Sequence, residues 1–273
     1  MILSGFAGAE DTALRRLADR YLESVVRRDP TYAPLAPAAR ASLNAKPVPT
    51  DVLPEVIDFP ALQIFMDSDQ GGVVMLGVAM GTEGPRPYAV RLQVQDGRIS
   101  EVETLLSSVT KGHFADVDQL FRPDVLYDAP VPPVRAVDRD RLRAIADSYW
   151  TGLQESDGSI PPFAYRCERF DNGKKITNNL SILLSPEAAV LTCASSLTAT
   201  RPARPSPRSR RFPVLDVGLG VAASLVLVDF GPNTLGFPPM THYMMAIFKV
   251  VDGEIRCIDE ISEKLPFGAP SPW

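Results

Sequence analysis

The strongest constraint on this chain is that it repeats itself. Residues 14–46 lie without a gap on residues 142–174, and ten of those 33 positions are identical: Leu14/Leu142, Arg15/Arg143, Ala18/Ala146, Asp19/Asp147, Tyr21/Tyr149, Asp29/Asp157, Pro34/Pro162, Ala36/Ala164, Asn44/Asn172 and Lys46/Lys174. Shared amphipathicity supplies the Leu and Ala matches, but not Tyr, Pro and Asn in one register. Self-similarity at a fixed offset is the mark of a repeated structural unit. A second echo pairs LQVQDGRISEVE (92–103) with FKVVDGEIRCID (248–259) at a larger offset, so the second copy carries a longer middle, expected between Thr192 and Pro239. The chain therefore divides into two copies of one fold, residues 1–115 and 135–273, joined by 116–134.

Each copy opens with a helical pattern. Leu14, Leu17, Ala18, Tyr21, Leu22 and Val25 recur at steps of three and four after Asp11, and Leu142, Ile145, Ala146, Tyr149 and Leu153 do so after Asp138. Such spacing puts one apolar stripe on each helix, and the two aspartates are suitable N-caps. Pro30 and Pro34, and Gly158, Pro161 and Pro162, end these helices. Alternating apolar strands follow, with Asp96-Gly97 and Asp252-Gly253 as hairpin turns. A helix followed by antiparallel hairpins predicts an α+β fold. DQLFR (118–122) predicts a short helical turn, and Pro130–Pro133 reads as linker.

Composition narrows the function. The chain has 273 residues, 45% hydrophobic and 22% charged, and no run approaches the roughly 18 apolar residues of a membrane span. The opening MILSGFAGAEDTALRR lacks a basic start and a long apolar stretch, which predicts a cytoplasmic protein. Cys167, Cys193 and Cys257 show no metal-binding spacing and are expected as reduced thiols. The net charge of -5 argues against nucleic acid as a partner, and the basic run Arg201–Arg211 reads as a solvated loop. With only His113 and His242, a metal centre would have to be built mainly from carboxylates. No phosphate loop, dinucleotide fingerprint or GxSxG elbow occurs, so no cofactor is expected.

A long helix, an irregular stretch and hairpins ending in V-x-D-G-x-I resemble the SnoaL-like, nuclear-transport-factor-2-like family. YWTGLQESDGS, RFDNGKK, RRFPVLD, LVLVDFGPN, IFKVVDGEIRCIDE and LPFGAPSPW follow the order of its tandem bacterial and fungal members. The resemblance implies two tandem cone-shaped domains, each a curved antiparallel sheet covered by its N-terminal helix and lining an apolar chamber. That scaffold supports cofactor-free isomerases, dehydratases, polyketide cyclases, epoxide hydrolases and plain binding modules, so fold alone does not choose among them. Sphingomonad proteins that release formaldehyde from lignin-derived diarylpropanes are similar in fold class. Sheets of this kind dimerise through their outer faces, and a tandem can imitate that dimer within one chain.

Candidate residues come from polar groups on apolar elements. Laying LVLVDF on MLGVAM puts Asp229 where the first copy has Ala79; it either lines the chamber or caps the turn after it. His242 starts the next strand, with Met244, Ala246 and Phe248 on its face and Tyr243, Met245 and Ile247 on the other. Asp229 and His242 would then share one end of the sheet as a proton-transferring pair. Tyr149 and Trp150 on the covering helix can contact a flat ligand or serve as core. Of Arg166, Cys167, Glu168 and Arg169, one alternating pair faces inward, and an inward arginine would hold a phenolate or carboxylate. Glu260, sharing a face with Arg256 and Ile258, is a second base; Asp259 lies on the opposite face with Cys257 and Ile261. The first copy offers Glu101, Glu103, Tyr88 and Arg91, and Cys193 reads as a small buried residue.

The expectation is a cofactor-independent lyase using acid–base chemistry on an apolar, hydroxylated aromatic small molecule. Its most specific form releases formaldehyde from a diarylpropane, with Asp229 and His242 moving protons, Tyr149 or Tyr243 contacting a hydroxyl, and Arg166 or Arg169 an anionic oxygen. The alternatives are an isomerase, dehydratase or cyclase on the same scaffold, or a hydrophobic-ligand-binding or assembly protein.

Overall fold

The computed structural model describes residues 9–179, 191–232 and 238–273. Helix α1 (Ala9–Arg27) precedes strands β1 (Leu35–Leu43), β2 (Lys46–Val48), β3 (Asp58–Asp67), β4 (Gly72–Gly81), β5 (Gly84–Gln95) and β6 (Arg98–Leu106). A small hairpin, β7 (Lys111–Gly112) and β8 (Ala115–Asp116), follows. Helix α2 (Arg139–Glu155) opens the second half, with β9 (Phe163–Asp171), β10 (Lys174–Lys175), α3 (Cys193–Thr198), β11 (Pro205–Asp216), β12 (Val221–Phe230), β13 (Met240–Val251) and β14 (Glu254–Pro266). The fold is α+β. Its two six-stranded sheets have the same order, β2-β1-β6-β5-β4-β3 and β10-β9-β14-β13-β12-β11.

The repeat holds bond by bond. Asn44 and Asn172, both at positive φ, each accept from and donate to one backbone residue of the neighbouring strand, Leu106 and Ser262. Asp29 and Asp157 each take a backbone N–H and a hydroxyl from the residue two places on. The Pro34 and Pro162 carbonyls accept from Ile99 and Ile255. Both Asp-Gly turns have φ positive at both positions, as tight hairpins require. Gly71 and Gly220 correspond too: each sits at positive φ where a Cβ would strike a carbonyl, that of Val94 or Val250.

These pairings also locate the extra residues. The offset is 128 at Asn44/Asn172, 149 at Asp67/Asp216, and 156 at Leu106/Ser262. The second half therefore gains length in two places, between β10 and β11 and again between β12 and β13, so the first insertion starts upstream of Thr192. The basic run is not a loop. Arg201–Ala203 form a 3-10 turn, and from Pro205 the run belongs to β11, an edge strand with register shifts between Arg208 and Val214, on which Pro205 and Pro207 are tolerated because its outer edge needs no partner. Helix α1 begins ahead of Asp11, which lies in its first turn; Asp138 caps α2, accepting from Arg141 N at 2.7 Å.

Apolar residues form three layers. Leu14, Ala18, Tyr21 and Val25 of α1 pack on one face of the first sheet, with Met75, Tyr88, Val90 and Leu92. Leu142, Ile145, Ala146, Tyr149 and Trp150 of α2 pack on one face of the second, with Val226, Met244, Ala246 and Phe248. The remaining faces of the two sheets pack on each other through Phe65, Leu76, Leu225, Leu227, Met245 and Ile247. Side chains alternate along each strand between its bulges, so within a regular stretch parity decides whether a residue faces a helix or the opposing sheet.

The sheet–sheet layer contains a buried ionic network. Glu103 accepts two bonds from Arg211, at 2.8 and 2.5 Å, and a third from the Tyr243 hydroxyl. Ser107 and Ser108 hydroxyls bond Ser262 O and Glu263 at 2.7 and 2.8 Å. The connection between halves joins this layer: residues 117–121 form a 3-10 turn, Val117, Leu120 and Tyr127 are buried in it, and the Tyr127 hydroxyl bonds Ile247 O. Among the described residues, no helix is long and apolar enough to cross a membrane.

Candidate active site

On β9, Cys167 belongs to the layer under α2, so Arg169 and Asp171 face the same way. On β14, Ile258 and Glu260 face that side, and the register sets Glu260 beside Asp171 on one flank and Ala246 on the other. Tyr149 reaches the spot from the helix because it belongs to the stripe Leu142, Ile145, Ala146, Tyr149, Leu153. Four polar side chains thus meet under α2 in an otherwise apolar layer.

Arg169 bridges the two carboxyl groups. Its Nε lies 3.1 Å from Asp171 Oδ1 and 3.1 Å from Glu260 Oε2, and its Nη2 lies 3.0 Å from Asp171 Oδ2 and 3.0 Å from Glu260 Oε2. The Glu260 side chain is 1% exposed and the other two 11%. Two atoms of the cluster are fully buried without a hydrogen-bond partner, Glu260 Oε1 and the Tyr149 hydroxyl. Unsatisfied buried polar atoms are rare in native proteins, since each costs about 1–3 kcal/mol. Aromatic rings surround the group: Trp150, Phe248 and Phe163 lie 5.0, 5.3 and 6.4 Å from the Tyr149 ring, and the Arg169 guanidinium 5.8 Å from it.

Burial pushes the Glu260 carboxyl up to about 8, Arg169 pulling it down and the Asp171 charge adding to the rise. Burial also raises the Tyr149 hydroxyl well above its ordinary value. Arg169 is driven further into its charged form by Asp171 and Glu260, against the opposing effect of burial. At neutral pH the cluster holds one protonated carboxylic acid, one arginine and a second carboxyl group. An acid and an acceptor side by side on one cation can deliver a proton to a bound molecule and remove another from it.

The first half provides a control within the same chain. Tyr21 occupies the Tyr149 position, but Ala41, Leu43 and Thr104 stand where the second half has Arg169, Asp171 and Glu260. There Tyr21 meets the Thr104 hydroxyl at 3.3 Å beside a cavity of about 20 Å³, room for one water. The fold therefore does not require the charges.

The proposed pair is not brought together. Asp229 is opposite Thr241 and His242 opposite Val228, so the two side chains leave opposite faces of the sheet. Asp229 corresponds to Met80, not Ala79, as the pairings Asp229↔Thr241 and Met80↔Pro85 show. A slip of one residue changes the face. Asp229 lies in an ion pair with Arg208, 2.6 Å, and accepts from Thr241, 2.5 Å; those contacts hold its carboxyl below the usual range against its partial burial. His242 does face the α2 side, against the Phe230 ring at 5.1 Å and with Nε2 3.4 Å from Met240 Sδ. Burial, and then Lys264, lower it to about 4, so it is neutral at pH 7 and poor as a shuttle there.

Of the other residues, Glu260, Arg169 and Tyr149 converge. Trp150 is core, its Nε1 donating to Ser224 Oγ at 3.1 Å. Tyr243 points the other way, onto Glu103 in the sheet–sheet layer, so it offers no hydroxyl under α2. Arg166 is exposed and away from the cluster. In the first half, Glu101 pairs with Arg40 and Arg91, and Tyr88 is buried under α1. Asp171 was missed from sequence because it precedes Asn-Gly and reads as turn; its alignment with Leu43 was the available signal. Asp259 looks into a cavity of about 90 Å³ between the sheets, with Asp124, Gln63 and Phe170, and burial raises it to about 7.

Cys167 and Cys193 form a disulfide, which corrects the expectation of reduced thiols; Cys257 is free and buried. The bridge ties β9, two residues before Arg169, to α3. Among the described residues no three His, Cys, Asp or Glu side chains converge as metal ligands do.

Residues 135–262 match a family model described as Domain of unknown function (DUF8021). The DUF8021 match contains Tyr149, Arg169, Asp171, Glu260 and both disulfide cysteines. No curated protein matches the chain.

Proposed function

We propose that the second half is a cofactor-independent acid–base catalyst, a lyase acting on an apolar, hydroxylated aromatic molecule held under α2. The observation that carries this reading is the buried Glu260–Arg169–Asp171 cluster, with Glu260 Oε1 and the Tyr149 hydroxyl unpartnered, in a layer whose counterpart carries no charge. The scaffold in this reading is a pair of helix-covered cones packed back to back, of which the second is the reactive one.

In the most specific form, the protonated Glu260 gives its proton to a benzylic hydroxyl, which leaves as water while the para-phenol passes its proton to solvent, leaving a quinone methide. Asp171 takes the proton of the neighbouring hydroxymethyl group. The bond from that group's carbon to the chain breaks, formaldehyde departs, and the electron pair forms the new carbon–carbon double bond as the ring becomes a phenolate, which takes a proton back from solvent to give the stilbene. Arg169 stabilises the carboxylate that Glu260 becomes, and Tyr149 bonds the departing oxygen. One placed acid or base contributes about a hundredfold to ten-thousandfold in rate.

The sequence predicts a cytoplasmic protein and, separately, reduced thiols. The disulfide instead supports a compartment that keeps thiols oxidised. The test of the activity is incubation with 1,2-diarylpropane-1,3-diols, reading stilbene absorbance and formaldehyde together. Turnover by the wild type that falls at least a hundredfold in Glu260→Gln supports the reading. Equal turnover in both proteins overturns the assignment of Glu260, and no turnover of any such diol overturns the lyase.

A further inference from the structure

The charges around Glu260 determine what the site can bind, an inference that rests on the proposed site and deepens it. We infer that the second half takes an uncharged, oxygen-bearing ligand and rejects carboxylates and phenolates. Arg169 is the one cation in the cluster; Asp171 pairs with it and the Glu260 carboxyl occupies its remaining bonds, all at 3.0–3.1 Å. An anion arriving there meets no excess positive charge and gives up its water in an aromatic enclosure, an unfavourable exchange.

No other group on that face supplies the missing charge. His242 is held neutral by burial and by Lys264. Lys264 is exposed four residues beyond Glu260 on β14, about 14 Å away along a strand. Arg210 lies outside α2, bonded to Thr151 at 2.9 Å and Gln154 at 2.8 Å. The three segments outside the described residues, MILSGFAG, LSILLSPEAAV and NTLGF, hold Glu187 and no Lys, Arg or His. What the site does offer is the Tyr149 hydroxyl and Glu260 Oε1, which neighbour each other and have no hydrogen-bond partner within 3.5 Å. With Glu260 protonated below about 8, both donate, so they suit a neutral acceptor such as an alcohol, ether or carbonyl oxygen. The groups facing Glu260 are Tyr149 from α2, Arg169 and Asp171 from β9, and, farther along the face, His242 from β13 and Lys264 from β14; of these, Arg169 is the cation in contact with Glu260, and it is paired with Asp171.

Titration calorimetry with benzyl alcohol and with sodium benzoate at pH 6.5 tests this. The alcohol is expected to bind wild type at least tenfold more tightly than benzoate. Replacing Asp171 by Asn and Glu260 by Gln together leaves Arg169 unopposed, and benzoate affinity should then rise at least tenfold; Asp171→Asn alone should raise it about threefold. Circular dichroism checks that each variant is folded. Benzoate binding wild type as tightly as the alcohol, benzoate affinity unchanged in folded variants, or neither probe binding would each overturn the inference. Failure of the catalytic reading is separate: it shows as full turnover in Glu260→Gln while the preference for the alcohol persists.

Discussion

Replacing Arg169 by Ala leaves Asp171 and Glu260 side by side beneath α2 with no cation between them. Removing one partner of a buried ionic group typically costs about 3–5 kcal/mol, because the remaining charge is uncompensated. For a chain of this size that corresponds to a fall in melting temperature of roughly 6–20 °C. The first half suggests how the loss is recovered, since Ala41, Leu43 and Thr104 occupy the same three places. Changing all three residues together, Arg169→Ala, Asp171→Leu and Glu260→Thr, removes the charges and their desolvation cost at once. Such replacements range from neutral to about 1–4 kcal/mol stabilising. Urea unfolding followed by far-ultraviolet circular dichroism and by Trp150 fluorescence measures both. The triple variant should match or exceed wild-type stability while the single one falls well below it. A triple variant as unstable as Arg169→Ala would refute the argument that these charges serve chemistry and not the fold.

Three further outcomes are expected. The Asp259 carboxyl is raised to about 7 from an ordinary 3.8, chiefly by burial, so its contribution to stability is complete below about pH 4 and is lost as pH rises through 7; Asp259→Asn should match wild type at pH 4 and exceed it at pH 9 by at most about 4 kcal/mol, read as urea midpoints. The Cys167–Cys193 bridge spans a separation of 26 residues, for which loop-closure entropy gives about 3–4 kcal/mol; reductant should lower the melting temperature, and three titratable thiols in unreduced, denatured protein would contradict the bridge. Asp229→Asn weakens the partly exposed pair with Arg208, at a cost of about 1 kcal/mol or less, and should leave diol turnover unchanged; a tenfold loss would restore Asp229 to the site.

The features readable from sequence are those in which one residue fixes a local backbone geometry. Asn44 and Asn172, Asp29 and Asp157, Pro34 and Pro162, and the two Asp-Gly turns recur because each satisfies a backbone group that any copy of this fold must satisfy. Glu260 was legible as one of two adjacent acids on β14, but its face was not, because a bulge between Ile255 and Cys257 resets the alternation that starts at the Asp252-Gly253 turn. The alignment of β12 with β4 was not: two apolar runs slide past each other with little change in similarity, and the one-residue error moved Asp229 to the wrong face. Asp171 and Arg169 lay within the ungapped repeat opposite Leu43 and Ala41, a contrast obscured by the turn that follows. The disulfide left no spacing signature because its partners come from a strand and from the inserted region. Arg201–Arg211 resembled a loop because an edge strand tolerates prolines that a central strand does not.

The proposed chemistry depends on Glu260 remaining protonated at neutral pH beside Arg169 and Asp171. Carbon NMR of protein labelled at the glutamate side-chain carboxyl, assigned with Glu260→Gln, follows that proton directly. The Glu260 resonance should titrate with a midpoint near 8, and Asp171→Asn should lower the midpoint, since it removes a neighbouring negative charge. A midpoint near the ordinary 4.5, unmoved by Asp171→Asn, would contradict the account.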